Sequence, residues 1–503
     1  MDKHVLIIGG GLAGLAASIR LANMGFRVTL FEKNESLGGK MGEIRQGDFR
    51  FDTGPTLLTL PGIIDDLFIE TGLNRKDFLQ FEKLTTLCRY YFSDGSLLDT
   101  HSDPAQMRRN LRGSFPQQES AWFSYLAEMK KIYEAAAPVF LTGPVREARK
   151  FLRPEYLPLL LKLKDIPFFK SMHRHNARHF SDPRLVQLFD RFATYNGSDP
   201  FRAPAILNLI SHVEMTLGGY YIRGGMYRLV EALQSVAEQL GVQIHTGLPV
   251  KKIAVEQGLA IGIHAEGEFI KGDYILCAID ERIAAERLLQ QPSSRRKHYE
   301  PSLSGMVFLW GMNKQFPQLS QHNIFFSADY LREFRQIFRE SAAPDDPTIY
   351  LSISSRIDTS HAPANGENWF VMVNMPANPN NLDWNETRRQ IRSKVFRKLQ
   401  KSGIDAVSHI KTEKCLTPRY FAYKLGSYQG SIYGSAFNHP LSAFLRPGNR
   451  NKKIANLFYA GGSVHPGGGI PLVMQSSKIA ASLLAAQAGI PLSENRSAPL
   501  PVH

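Results

Sequence analysis

Three cysteines in 503 residues, Cys88, Cys277 and Cys415, are too few and too scattered to build a framework of bridges, and none forms a C-x-x-C pair. A disulfide-stapled fold and a cysteine zinc site are therefore not expected, no metal is predicted, and a reducing cytoplasm suits the chain best. Long uncharged apolar runs are missing too. A bilayer-spanning helix needs about 20 consecutive apolar residues, and no transmembrane segment is predicted. The N-terminal MDKHVLIIGGGLAGLAAS imitates a secretory signal, but its glycines argue against one. Acidic residues are also scarce: 46 Asp and Glu against 60 Lys and Arg leave a net charge of +14, which calls for an anionic partner, either nucleic acid or a membrane surface. The basic residues are dispersed, and no recognition helix or stacking platform is legible, so nucleic acid is not expected.

What the chain does have is a nucleotide-binding beginning. HVLIIGGGLAGLAASIRLANMGFRVTLFEKN reads as a buried strand Val5–Ile8, a glycine turn, a helix over 12–24 and a second strand over 27–32. Gly9, Gly11 and Gly14 fit G-x-G-x-x-G at the junction, where the backbone must turn tightly and approach a pyrophosphate at a helix N-terminus. Glu32 ends the second strand, where a carboxylate accepts adenosine ribose hydroxyls. The spacing predicts a dinucleotide site. Further along, Leu229, Val230, Leu233, Val236 and Leu240 form one face of a helix before a strand over 242–245, DYILCAI (273–279) reads as a returning strand, and NLFYAGGSVHPGGGIPLVMQSSKIAASLLAAQ gives a strand at 457–460, a glycine loop and a helix starting near Pro471. Proline is favoured at the first helical position. The N-terminus of such a helix carries partial positive charge.

NESLGGKMGEIRQGDFRFDTGPTLL, with Gly38, Gly39 and FDTGPT, resembles the extended FAD motif of the amine oxidase and carotenoid desaturase superfamily, although Lys40 stands where that family commonly has Arg. Gly461–Pro471 resembles the G-x-G-T-H-P-G-x-G-I-P loop of the bacterial-type carotenoid (phytoene) desaturase family, which likewise lacks the acidic residue that many relatives carry at the position of Gly462. Asn196–Glu214, IRGGMYRLVEAL, NLDWNETRRQIRSKVF and FLRPGNRNKKIANLFYAGG extend the resemblance over nearly the whole chain, and ATYNGSDPF with GGYYIRGGMY is most like the hydroxycarotenoid 3,4-desaturase branch.

The resemblance implies an α/β fold: a Rossmann-type FAD-binding domain from 1–75, 218–288 and 450–490, a mixed α/β substrate domain from 76–109 and 289–449, a helical membrane-facing lobe at 110–217 and a flexible tail at 491–503. It implies FAD as cofactor, with binding residues Gly9, Gly10, Gly11, Leu12, Ala13, Gly14, Glu32, Lys33, Gly38, Gly39, Lys40, Met41, Pro55, Thr56, Val250, Gly461, Gly462, Gly469, Ile470, Pro471, Leu472 and Val473. It implies an FAD-dependent desaturase that places C=C bonds in a carotenoid, passing the electrons to oxygen or a quinone. Glu147 is the candidate base, against a plain surface helix. His212 and His465 fall in family motifs but are equally compatible with structural histidines. Phytoene desaturation, a non-redox flavin-dependent isomerase, an amine oxidase and a non-catalytic carotenoid-binding flavoprotein remain alternatives. RKFLRPEYLPLLLKLKDIPFFKSMHRH (149–175) mixes apolar residues with Arg149, Lys150, Arg153, Lys162, Lys164, Lys170 and Arg174. Such a segment suits docking at the anionic inner face of the cell membrane, against the alternative of amphipathic helices with a solvated basic face. The oligomeric state stays open.

Overall fold

The computed structural model describes residues 3–141, 169–291, 300–378, 380–440, 442 and 446–490. Apolar runs uninterrupted by polar residues belong in strands covered on both faces, and His4–Ile8 is such a strand, buried at all five positions. It lies at the middle of a five-stranded parallel sheet in the order Leu457–Tyr459, Tyr274–Cys277, His4–Ile8, Arg27–Phe31, Gln243–His245. Strands from three distant stretches of chain thus share one sheet. The helices Leu12–Asn23, Arg228–Gln239 and Ile470–Gln487 contribute Leu15, Leu233 and Leu484 to the core on one side. On the other side Leu6, Ile8 and Ile275 pack with Ile253 and Ile263 of a three-stranded antiparallel sheet.

The second large sheet has seven strands, in the order 410–416, 304–312, 367–375, 349–353, 322–325, 86–91, 97–101. Its second strand, Ser304–Met312, is buried throughout. One face packs against Ile391, Val395 and Leu399 of the helix Trp384–Lys401, and the other meets Phe49 and Phe51 of the hairpin 43–52. A helical layer, Pro104–Ser114, Glu119–Leu141, Met172–His179 and Pro183–Asp190, lies beside these sheets. Asp103, Ser171 and Asp182 each accept a backbone N–H at the start of one of these helices, satisfying donors that the helix leaves unpaired. Among the described residues no helix is long and apolar enough to cross a membrane.

Over residues 5–32 the strand and helix limits expected from sequence agree with these elements to within one residue; the strand expected over 273–279 is shorter, Tyr274–Cys277, and the last helix starts at Ile470 with Pro471 in its first turn. Glu147 and the basic residues Arg149, Lys150, Arg153, Lys162 and Lys164 lie outside the described residues.

Candidate active site

The three motif glycines do different work. A Cβ at Gly14 would sit 1.9 Å from the Gly9 carbonyl oxygen, so this glycine is required for the helix to pack on the turn. Gly9 has φ +106° and its Cβ would press on Ile279 at 2.7 Å. A Cβ at Gly11 meets nothing closer than 3.9 Å, and the nearest atoms are the Gly38 oxygen and the Gly39 Cα. Gly11 therefore borders a cradle between two glycine turns and not a packed core. Gly38 N–H donates to the Gly10 oxygen at 2.8 Å, and Gly11 and Gly38 form a parallel bridge.

Glu32 is buried and already oriented. Its Oε2 accepts from Gly10 N–H at 2.8 Å, and Oε1 accepts from the Asn34 backbone and side-chain nitrogens at 2.9 and 2.8 Å. A carboxylate has about four acceptor positions, so room remains for a ribose hydroxyl. Leu248 N–H donates to the Glu32 carbonyl and Gly247 N–H to that of Asn34, which brings the chain just before half-buried Val250 to the same edge. Lys33 turns away and donates to the Tyr423 carbonyl at 3.1 Å. Met41 is packed in the core.

Lys40 donates to the carbonyls of Ile432 and Ser431 at 2.5 and 3.4 Å. It keeps some solvent contact, yet its amine is enclosed deeply enough that burial draws its pKa down to about 8, with Arg446 adding to the fall and Asp280 opposing it. Burial raises the Asp280 carboxyl, and the Lys40 charge counters it. The point charge of lysine thus survives where a forked arginine was the family expectation, but its donors are spent on backbone oxygens.

The C-terminal glycine loop is built from backbone held by three side chains. Ser476 Oγ accepts from Gly461 N–H at 3.0 Å and donates to the His465 carbonyl at 2.8 Å. Asn449 Nδ2 donates to the carbonyls of Tyr459 and His465, and Arg446 donates to those of Tyr433 and Gly462. The loop delivers Gly469, at φ +100°, as the N-cap of Ile470–Gln487, with no capping side chain and nothing within 4 Å of its Cβ position. Ile470 is buried behind it, and Leu472 and Val473 are half-buried. Uncapped N–H groups at a helix start form a ready anion site.

FDTGPT divides between two tasks. Asp52 is buried and accepts from Arg50, Met226 N–H and Tyr227 N–H at 2.9, 3.1 and 3.2 Å, while Arg50 lies so close to Gly225 that a Cβ there would overlap it at 2.0 Å. This latch accounts for Gly225 in IRGGMYRL. Pro55 and Thr56 are half-buried, and Thr56 Oγ1 is 2.5 Å from Tyr350 OH, which is 2.8 Å from His322 Nδ1. Burial, helped by the Arg191 charge, draws the His322 pKa down to about 3, so the imidazole is neutral.

Beside this chain lies a buried ion pair. Arg191 Nη2 donates to Glu214 Oε1 at 2.9 Å and to Tyr90 OH at 2.7 Å, Tyr195 donates its hydroxyl to Glu214 Oε2, and the guanidinium lies over the Phe192 ring at 4.4 Å. Nothing in the periodicity of Tyr90, His322 or Tyr350 announces this cluster; Tyr195, inside ATYNGSDPF, and Glu214, at the end of a family motif, are its members that fall in family-like segments. His212 is buried, with its pKa drawn down to about 4 by burial.

The fit of these residues to FAD rests on the cradle at Gly11, the spare acceptor capacity of Glu32 and the uncapped helix at Gly469. Together with the five-stranded parallel sheet they define an FAD-dependent oxidoreductase. Residues 12–485 match the family of flavin containing amine oxidoreductases, and the chain belongs to that family. Within it the chain groups with the bacterial carotenoid desaturases and oxygenases. It is 38% identical to a 1-hydroxycarotenoid 3,4-desaturase of Flavobacterium sp. (strain P99-3), covering 96% of this chain and 99% of that protein. It is 35% identical to a 4,4'-diapolycopene oxygenase of Methylomonas sp over 95% of this chain and 97% of that protein. Among solved structures, putrescine oxidase bound to putrescine has a TM-score of 0.63 at 15% identity, covering 97% of this chain and 99% of that chain. An oxidoreductase from Methanosarcina mazei also has a TM-score of 0.63 at 15% identity, over 94% of this chain and 99% of that chain. These two show the fold alone.

Proposed function

We propose that the protein is a carotenoid desaturase that acts on a hydroxylated or otherwise end-group-modified carotenoid, forming the 3,4 double bond. The observation that carries this reading is the 38% identity, over 96% of the chain, to a protein of that activity. FAD held in the cradle would supply a two-electron acceptor for the hydride removed from one carbon as a proton leaves its neighbour. The chain's own contribution is placement and charge. Glu32 and the glycine turns hold the adenosine end, and the first-turn N–H groups of Ile470–Gln487 present fixed positive charge without a cationic side chain. Glu147 stays the candidate base, and the conjugated substrate spreads the developing positive charge, so modest proton assistance suffices. Oxygen or a quinone is the proposed final acceptor.

The substrate dissolves in lipid, and the basic, apolar stretch 149–175 is proposed to dock the protein on the cytoplasmic face of the cell membrane. Supporting this, Phe169 is 87% exposed at the stretch's described end. Neutralising Lys162, Lys164 and Lys170 together is expected to weaken flotation with anionic liposomes, most at low salt; unchanged flotation would place docking elsewhere.

The oxygenase names among the relatives favour one second reading, insertion of oxygen at a chain end. Mass spectrometry of carotenoids from cells given a hydroxylated precursor separates the two. A product lighter by two hydrogens supports desaturation, a product heavier by oxygen supports oxygenation, and an isomer of unchanged mass would sink both.

A further inference from the structure

Outside the flavin site, the helical layer brings together three side chains that neither the fold nor the proposed reaction uses. Glu128 lies on Glu119–Leu141, and His175 and His179 lie one turn apart on Met172–His179. The three ligand atoms are all within 4.8 Å of one another. His179 Nε2 is 2.7 Å from Glu128 Oε2, and His175 Nε2 is 3.3 Å from Oε1.

We propose that Glu128, His175 and His179 bind a divalent transition-metal ion of the zinc class, tying the helix that precedes residues 142–168 to the helix that follows them. Zinc takes imidazole nitrogen and carboxylate oxygen at about 2.0–2.2 Å, so two of its tetrahedral ligands stand roughly 3.3 Å apart. The His175–Glu128 spacing already meets that figure. The His179–Glu128 spacing has to widen, and Glu128 is half-exposed and free to move.

Two further observations favour a ligand over a simple ion pair. His175 is 5% exposed, and its Nε2 faces Glu128 Oε1 across a loose 3.3 Å with no closer partner. His179 Nδ1 lies 3.0 Å from the His175 carbonyl, an arrangement in which Nδ1 carries the hydrogen and Nε2 is left to face a metal, as in histidine ligands generally. Tyr125 fixes the rings: it packs edge-on to His179 at 5.2 Å, and its hydroxyl is tied to Asn176 Oδ1 at 2.7 Å. The two imidazoles, with centroids 4.6 Å apart, face different oxygens of the one carboxylate, so the three ligand atoms surround a common point.

The test uses the untagged, full-length, FAD-loaded protein, stripped with a chelator and titrated with Zn²⁺ by calorimetry, and with Co²⁺ by visible absorption. One tight equivalent per chain is expected, with a rise in melting temperature. Glu128→Gln is expected to weaken that site at least tenfold, and His175→Ala with His179→Ala to abolish it, while FAD content and far-UV circular dichroism stay unchanged. If the double variant misfolds, His179→Gln alone at the half-buried position gives the same reading. Absence of a tight Zn²⁺ equivalent in the native protein, or an equal one in the His179→Gln variant, would overturn the proposal.

Discussion

The nucleotide cradle and the polar cluster around Arg191 handle buried polarity in opposite ways. The cradle uses main-chain N–H and C=O groups, two glycine turns and one carboxylate, Glu32, whose bonds are almost all to backbone or to Asn34. The cluster uses four side chains from three separate stretches of chain, Tyr90, Arg191 with Tyr195, and Glu214, closed on themselves in the core. Backbone polarity is cheap to bury because it is satisfied wherever the chain turns. Side-chain charge is costly to bury and tolerable only while every partner stays in place. A site of the first kind should survive changes to its rim and fail through its cofactor, and a site of the second kind should fail through the fold.

The sharpest way to break the comparison is to remove one partner from the ion pair. Both side chains are nearly sealed, at 9% and 2% exposure. Arg191→Met leaves Glu214 buried without its counter-charge and is expected to cost about 3–5 kcal/mol of stability, read by denaturant unfolding. Arg191→Met combined with Glu214→Leu should recover a large part of that loss, since a pair replaced by apolar side chains of similar volume is often neutral. A single variant as stable as the parent would mean that the pair is solvated and the contrast is false.

The same contrast explains what could be read from sequence. Gly9, Gly11, Gly14 and Glu32 act through spacing along one continuous stretch, so a motif of local distances captures them. Tyr350 and His322 meet Thr56 only because two neighbouring strands of the seven-stranded sheet stand against the loop that follows the hairpin 43–52, and no local period encodes a contact between Thr56 and Tyr350, 294 positions apart. Glycine identity alone also hid a division of labour: Gly225 in IRGGMYRL is small to admit Arg50, whereas Gly11 is small to leave a cradle open, and the sequence writes both as the same letter. His175 and His179 stand one turn apart in MHRHNARH, but their partner Glu128 lies on another helix, and no spacing along the chain points to it.

A second pair of variants separates the two uses of glycine inside the cradle itself. Gly14→Ala drives a Cβ into the Gly9 oxygen at 1.9 Å and is expected to destabilise the chain by about 1–3 kcal/mol, the range for overpacking a tight interior. Gly11→Val has room in the folded chain, where φ is −73° and the nearest atoms are 3.9 Å away, so stability without cofactor should change little. Its side chain fills the cradle, and FAD affinity should fall at least tenfold, or about 1.4 kcal/mol. Stoichiometric yellow FAD in purified Gly11→Val would show that the pyrophosphate lies elsewhere. Gly469 is less suited to this test, because its φ of +100° strains any side chain whether or not a flavin is near.

The smallest effect is a pH dependence that belongs to the side-chain region, since the backbone donors of the cradle do not titrate. Burial, with the Arg191 charge, lowers the His322 pKa from the ordinary 6.5 to about 3. The unfolded chain therefore takes up a proton below pH 6.5 that the folded chain refuses, and stability must fall as pH drops through the interval from 6.5 toward 3. With those two values the loss is about 0.8 kcal/mol at pH 6 and about 2 kcal/mol at pH 5. His212, drawn down to about 4 by burial, contributes with the same sign, so the wild-type curve alone cannot assign the slope. His322→Phe does. At pH 8 it should be less stable than the parent, because Tyr350 loses its 2.8 Å partner, at about 1 kcal/mol for one hydrogen bond. Between pH 8 and pH 6 the gap should then close by about 0.8 kcal/mol, since only the parent carries the His322 penalty. A gap that stays constant across that interval would mean that His322 is solvated enough to protonate in place, and that the cluster is not the sealed counterpart of the cradle.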